Sequence, residues 1–101
     1  MAKTNKLPVP SAGEILREEF LEPMGITAYR LSKEINVSTT TIIDIVNGKR
    51  KITVDTALRL SKFFGNSDRF WLNLQNDIDL RNQREKLRSD LEKITPVKRS
   101  A

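Results

Sequence analysis

The chain has 101 residues, neither cysteine nor histidine, and 18 lysines and arginines against 13 acids, for a net charge of +5 and a pI near 9.8. This length fits one domain with one core. Without thiols and imidazoles there are no disulfides, no thiolate nucleophile, no imidazole base and none of the usual zinc ligands; carboxylates could still do acid–base work, but no paired-carboxylate constellation stands out, so no enzyme, metal or cofactor is expected.

No apolar run is long enough to span a bilayer, and the first ten residues lack the apolar centre of a secretory signal, so a cytoplasmic protein without a membrane partner is expected. The basic pI fits an anionic partner such as nucleic acid. Placement weakens that signal. Lys3, Lys6, Lys98 and Arg99 lie in tails without acids, which leaves a body of 14 bases against 13 acids. Where the charges sit therefore matters more than their sum.

Residues 1–10, punctuated by Pro8 and Pro10, read as a flexible arm whose two lysines suit a phosphate backbone or a disordered tail equally well. A first helix starts at Ser11, which has capping-box spacing to Glu14. Ile15, Leu16, Phe20 and Leu21 form its apolar face, and Pro23 with Gly25 is expected to stop it. Glu14, Glu18, Glu19 and Glu22 lie mostly elsewhere and would repel phosphate, so this helix points away from any nucleic acid.

Thr27 caps a second helix with Leu31 and Ile35 as its buried stripe. Asn36 and Val37 break it. Ser38 caps a third helix, Thr39 to Val46, with Ile42, Ile45 and Val46 inward. Asn47-Gly48, both tolerant of positive φ, closes it ahead of a basic loop, Lys49-Arg50-Lys51. Thr53 caps a fourth helix that offers Ala57, Leu58, Leu60, Phe63 and Phe64 to the core and ends at Gly65. A fifth is expected to begin at Ser67-Asp68, where an acid suits the helix dipole, with Phe70, Leu74 and Ile78 in register and Trp71 beside them. Leu80, Leu87, Leu91 and Ile94 continue a thin apolar line as far as Pro96. No segment alternates like a strand. The expected fold is all-α: five helices around one core over residues 11–80, then a helical or flexible extension over 81–101.

The stretch from about Thr27 to Asn47 meets several independent demands of a helix-turn-helix. Two helices that cross steeply through a tight turn need a small residue at the approach, supplied by Ser32. They need a residue tolerant of left-handed backbone four positions later, Asn36. They need an aliphatic seal, Val37, and a β-branched plug, Ile42. A plain helical hairpin is the competing reading, and the exposed side of the third helix argues against it. Thr39, Thr40, Ile43 and Asp44 project away from the core, at the end that reaches base edges when such a helix enters a major groove. Threonine can bond base edges or touch a thymine methyl, as can Ile43. Asp44 can accept from cytosine but is repelled by phosphate. Phosphate anchors are expected at the helix amide ends near Thr27 and Ser38, at Arg30, and at Lys49, Arg50 and Lys51, a run that otherwise reads as a solvated loop. Tyr29 has two readings, phosphate contact or packing.

One such motif contacts too little DNA for high specificity, so a homodimer is expected, with half-sites about 34–36 Å apart on double-stranded DNA. Trp71, Leu74 and Ile78 exceed what one helix needs for its own core and are the candidate two-fold surface; the alternative is that they are core.

These residues resemble the Xre/lambda-repressor-like helix-turn-helix family over about residues 12–80. The strings Gly13-Glu14-Ile15-Leu16-Arg17-Glu18-Glu19-Phe20-Leu21-Glu22-Pro23, Asn47-Gly48-Lys49-Arg50, Ala57-Leu58-Arg59-Leu60 and Phe70-Trp71-Leu72-Asn73-Leu74-Gln75 are similar to the HigA/VapI-type antitoxins, in the same order. The resemblance implies a five-helix lambda-repressor-like domain in a homodimer. It also implies repression of the protein's own operon at a palindromic operator, and neutralisation of a RelE/HigB-like toxin that cleaves mRNA. A stand-alone repressor without a toxin partner fits the helix-turn-helix equally well. Two positions depart from the family's habit: Asn36 stands where Gly is frequent, and Thr39 where a longer polar or basic residue is frequent. The second bears on which operator is read, not on the mode of reading.

Overall fold

The structure, a computed structural model, describes residues 9–98 and holds six helices among them. Helix α1 is continuous but compound: Ala12–Ile15, a π-helical turn over Leu16–Leu21, and a last turn Glu22–Met24. The others are α2, Ala28–Ile35; α3, Thr39–Val46; α4, Val54–Phe64; α5, Phe70–Lys86; and α6, Arg88–Glu92. The fold is all-helical, as expected, and the fifth helix runs without a break through residue 80 into the extension.

Each of the first four helices begins at a hydroxyl that accepts from the backbone amide three residues on. Ser11 accepts from Glu14, Thr27 from Arg30, Ser38 from Thr41 and Thr53 from Thr56, at 3.0–3.3 Å. At Ser11 the box is reciprocal, because the Glu14 carboxylate accepts from the Ser11 amide at 3.1 Å. Such caps satisfy donors that the first turn would otherwise leave orphaned, each worth ~1 kcal/mol.

One boundary and two local details differ from expectation. Pro23 does not stop α1. The π turn shifts the hydrogen-bond register so that Glu22 N–H bonds the Arg17 carbonyl, and the widened turn takes in a residue that has no donor of its own. The helix ends at Gly25, in left-handed conformation. Asn47 keeps a negative φ of −88°, and only Gly48 turns positive. The fifth helix starts at Phe70 rather than Ser67-Asp68. The Ser67 carbonyl accepts from the Ser61 hydroxyl at 2.8 Å and from the Phe70 amide at 3.1 Å. That arrangement makes residues 67–69 a turn tied back to α4.

The core is one cluster. Leu16, Leu31, Ile42, Ile45, Leu60 and Trp71 are its largest fully buried members. Phe20, Phe64 and Phe70 surround Trp71, with ring centroids 4.8 Å (Phe20–Trp71), 5.9 Å (Phe64–Trp71) and 4.9 Å (Phe70–Trp71) apart. Edge-on and tilted aromatic contacts of this kind add to the area they bury. Leu58, expected to be available to the core, is exposed. The radius of gyration is 17.4 Å, against about 13 Å for a compact chain of this length. Helix α6 packs against α5. No helix among the described residues is long and apolar enough to cross a membrane.

Candidate nucleic-acid interface

The turn between α2 and α3 is built as the offsets require. Asn36 sits at φ 59°, ψ 47°, and its amide bonds the Ser32 carbonyl. Ser32 is buried where the helices approach. Its hydroxyl donates to the Tyr29 carbonyl at 2.7 Å and lies 2.9 Å from the Thr39 hydroxyl. Because the Ser32 proton goes to Tyr29, Thr39 is the donor in the second contact. A polar chain thus runs from α2 into the first turn of α3.

Two further elements fix this unit. Arg59 of α4 donates to the Ile35 carbonyl at 2.8 Å and the Asn36 carbonyl at 3.4 Å, and its other edge is held by Asp55. It thereby neutralises the negative end of α2. From the other side, α1 lies directly on the end of α3. A Cβ at Gly13 would fall 1.6 Å from the Ile45 carbonyl oxygen and 2.9 Å from the Val46 Cα, so backbone meets backbone with no side chain between. Neither Arg59 nor Gly13 was singled out as a site residue from the sequence, although each lies in a string that carried the resemblance.

The outer side of α3 has a graded exposure. Thr40 is exposed, and Ile43 keeps 42% of its surface. Thr39 is half-buried with its proton directed to Ser32, which leaves its oxygen lone pairs and its methyl. Asp44 is half-buried and faces Arg50, with a closest approach of 3.5 Å. Of the four expected base readers, two stand free, one is tied inward and one is paired with an expected phosphate anchor.

The phosphate anchors divide in the same way. The hydroxyls of Thr27 and Ser38 are engaged as caps, so what these sites present is the amide end of each helix. Arg30 lies 3.7 Å from Glu34 on the same helix, and Tyr29 is exposed with the Lys33 ammonium 5.2 Å from its ring centroid. In the basic loop, Lys49 N–H bonds the Asp44 carbonyl at 2.8 Å, which continues α3 into the loop. Lys51 pairs with Asp79 of α5 at 3.2 Å. Gln75, also on α5, accepts from the Ile52 amide at 3.0 Å and donates to Asp79 at 3.1 Å. The loop after α3 is therefore latched to α5 by two side chains that sequence reasoning did not assign. Only the spacing Gln75 to Asp79, one helical turn, could have hinted at them.

The candidate two-fold surface needs correction. Trp71 is 0% exposed and Ile78 8% within the single chain. Both belong to the chain's own core, so Trp71 presents no surface and Ile78 little to a second copy. Leu74 is half-buried against the same core.

Residues 17–72 match the helix-turn-helix family model. Virulence-associated protein I of Dichelobacter nodosus is 49% identical over 80 residues, spanning 79% of this chain and 74% of that protein. Antitoxin HigA-1 of Vibrio cholerae is 38% identical over 97 residues, spanning 96% of this chain and 90% of that one. Among solved structures, the Pseudomonas aeruginosa antitoxin HigA with the higBA promoter superposes with a TM-score of 0.84 at 35% identity, covering 91% of this chain and 100% of that chain. With the motif geometry and these likenesses together, the chain belongs to the helix-turn-helix family, in the branch of the HigA-type antitoxins and virulence-associated protein I.

Proposed function

We propose that the protein is a sequence-specific DNA-binding antitoxin that represses its own operon as a homodimer and neutralises a RelE/HigB-like toxin. The observation that carries this is the placement of α3. Along α3, the exposed Thr40 and Ile43 lie between the helix's own amide end at Ser38 and the Lys49–Lys51 loop that follows its last turn. Phosphate contacts on both flanks would set the register, and the exposed side chains between them would read base edges. The promoter-bound HigA of P. aeruginosa, with the same fold over nearly the whole chain, supports the same use of this surface. The toxin half follows the naming of the relatives.

For the homodimer, Leu80, Leu91 and Ile94 offer exposed apolar surface on the C-terminal arm in place of the buried Trp71 and Ile78. The test uses a duplex carrying the promoter of the protein's own gene and a scrambled duplex of equal length. Binding to the promoter that falls steeply with rising salt and exceeds binding to the scrambled duplex is the expected result. Equal binding to both would defeat the reading. Co-purification with the product of an adjacent small basic reading frame, and rescue of growth on co-expression, tests the toxin half.

A further inference from the structure

The basic loop is not free. Its last cation, Lys51, is held by Asp79 at 3.2 Å, and Asp79 is itself oriented by Gln75, whose amide oxygen simultaneously holds the Ile52 backbone. The pair is open to solvent, with side-chain exposures of 72% for Lys51 and 35% for Asp79. An exposed pair of this kind adds little to stability, so its effect falls on what the loop can bind.

We propose that Asp79 is a positioning residue that sets the specificity of the DNA interface. This rests on the reading of α3 and its loop as that interface. An ammonium has three N–H donors. One engaged by Asp79 leaves two for a phosphate, but only for a phosphate that arrives where the ammonium is held. When α3 is seated on its operator, the loop's position is fixed through Gln75 and Ile52, and Lys51 meets its phosphate already oriented. On other sequences the docking is looser and the contact is almost wholly electrostatic. There a tethered cation follows the backbone less readily, and the carboxylate beside it opposes the approach of another anion. Asp79 thus costs the operator complex little and the non-cognate complex more. Asp44, 3.5 Å from Arg50, places a second carboxylate on the neighbouring cation.

The experiment compares Asp79→Asn with the unaltered full-length chain on the promoter duplex and the scrambled duplex, across a salt series. Asparagine keeps an oxygen that can accept from Gln75, so the latch persists while the charge goes. The expected result is a rise of about threefold in affinity for the scrambled duplex, with a salt slope steeper by about 0.9. Promoter affinity should stay level or fall, so that the ratio of the two drops. Asp77→Asn, the same charge change two positions away on α5, should leave the ratio as it was. Combining Lys51→Met with Asp79→Asn should abolish the gain. An unchanged or improved ratio in Asp79→Asn, an equal shift in Asp77→Asn, or a gain that survives the loss of Lys51 would each overturn the role of Asp79. If the unaltered chain shows no salt-dependent preference for the promoter, the DNA reading itself fails and this inference falls with it.

Discussion

The two ends of the molecule hold their helices in opposite ways. Helices α2 and α3 have eight residues each, too short to persist alone in water. Beyond their local hydroxyl caps they are held from outside: by the Ser32–Thr39 contact between them, Arg59 on the end of α2, and the backbone of α1 against the end of α3. Helix α5 has 17 residues, begins without a side-chain cap, and after Ile78 places no residue in the core. The second half of the long helix runs on without a residue in the core, whereas both short helices are closed on by other elements along their length. The unit that reads DNA is thus the more dependent of the two, and distant substitutions should disturb it most.

Substitutions at four positions put that contrast at risk, and they should rank as follows. Gly13→Ala places a methyl into the Ile45 carbonyl and forces α1 off α3. Overpacking against backbone cannot relax through a rotamer, so a loss of about 3 kcal/mol is expected in urea unfolding, with promoter binding abolished. A loss below that of a surface substitution would mean that α1 is not the support it resembles. Arg59→Ala should cost about 1–2 kcal/mol, since charge-assisted bonds to the α2 carbonyls disappear, and Arg59→Lys should recover only part because the forked geometry goes with it. Ser32→Ala should cost ~1 kcal/mol and lower promoter affinity by more than scrambled-duplex affinity, because Thr39 loses its partner. Leu91→Ala on the arm should change the unfolding free energy of the isolated chain by less than about 0.5 kcal/mol. Sedimentation of the same variant then shows whether that residue serves the dimer. A large destabilisation there would erase the distinction between the two ends.

Much of the fold was legible because local chemistry fixes it. The hydroxyl caps at Ser11, Thr27, Ser38 and Thr53, and the left-handed Asn36, were each readable from a few neighbouring residues. Pro23 misled because the rule that proline ends a helix assumes α-helical register, and the π turn before it changes that register. Ser67-Asp68 misled because Ser67 turns its carbonyl to Ser61, a partner six residues away. The site was legible where exposure follows from helical phase, as at Thr40 and Ile43. It was not legible where long-range pairing decides the outcome. Asp44 with Arg50, Asp79 with Lys51 and Arg59 with Ile35 join side chains to loops and helices that sequence spacing does not bring together. Trp71 and Ile78 illustrate the same limit from inside: periodicity shows that a face is apolar, not whether its own chain covers it.

The bare contact between Gly13 and the end of α3 has a consequence for how such a protein changes its target. Because the end of α3 rests on backbone, neither Thr40 nor Ile43 takes part in that contact. Thr40 and Ile43 can be exchanged for other residues without loosening the seat, whereas Thr39 is constrained by Ser32. If α3 reads the operator as proposed, the scaffold is a fixed socket for an interchangeable reading head, and drift toward a new operator should run through positions 40 and 43 before it touches 39.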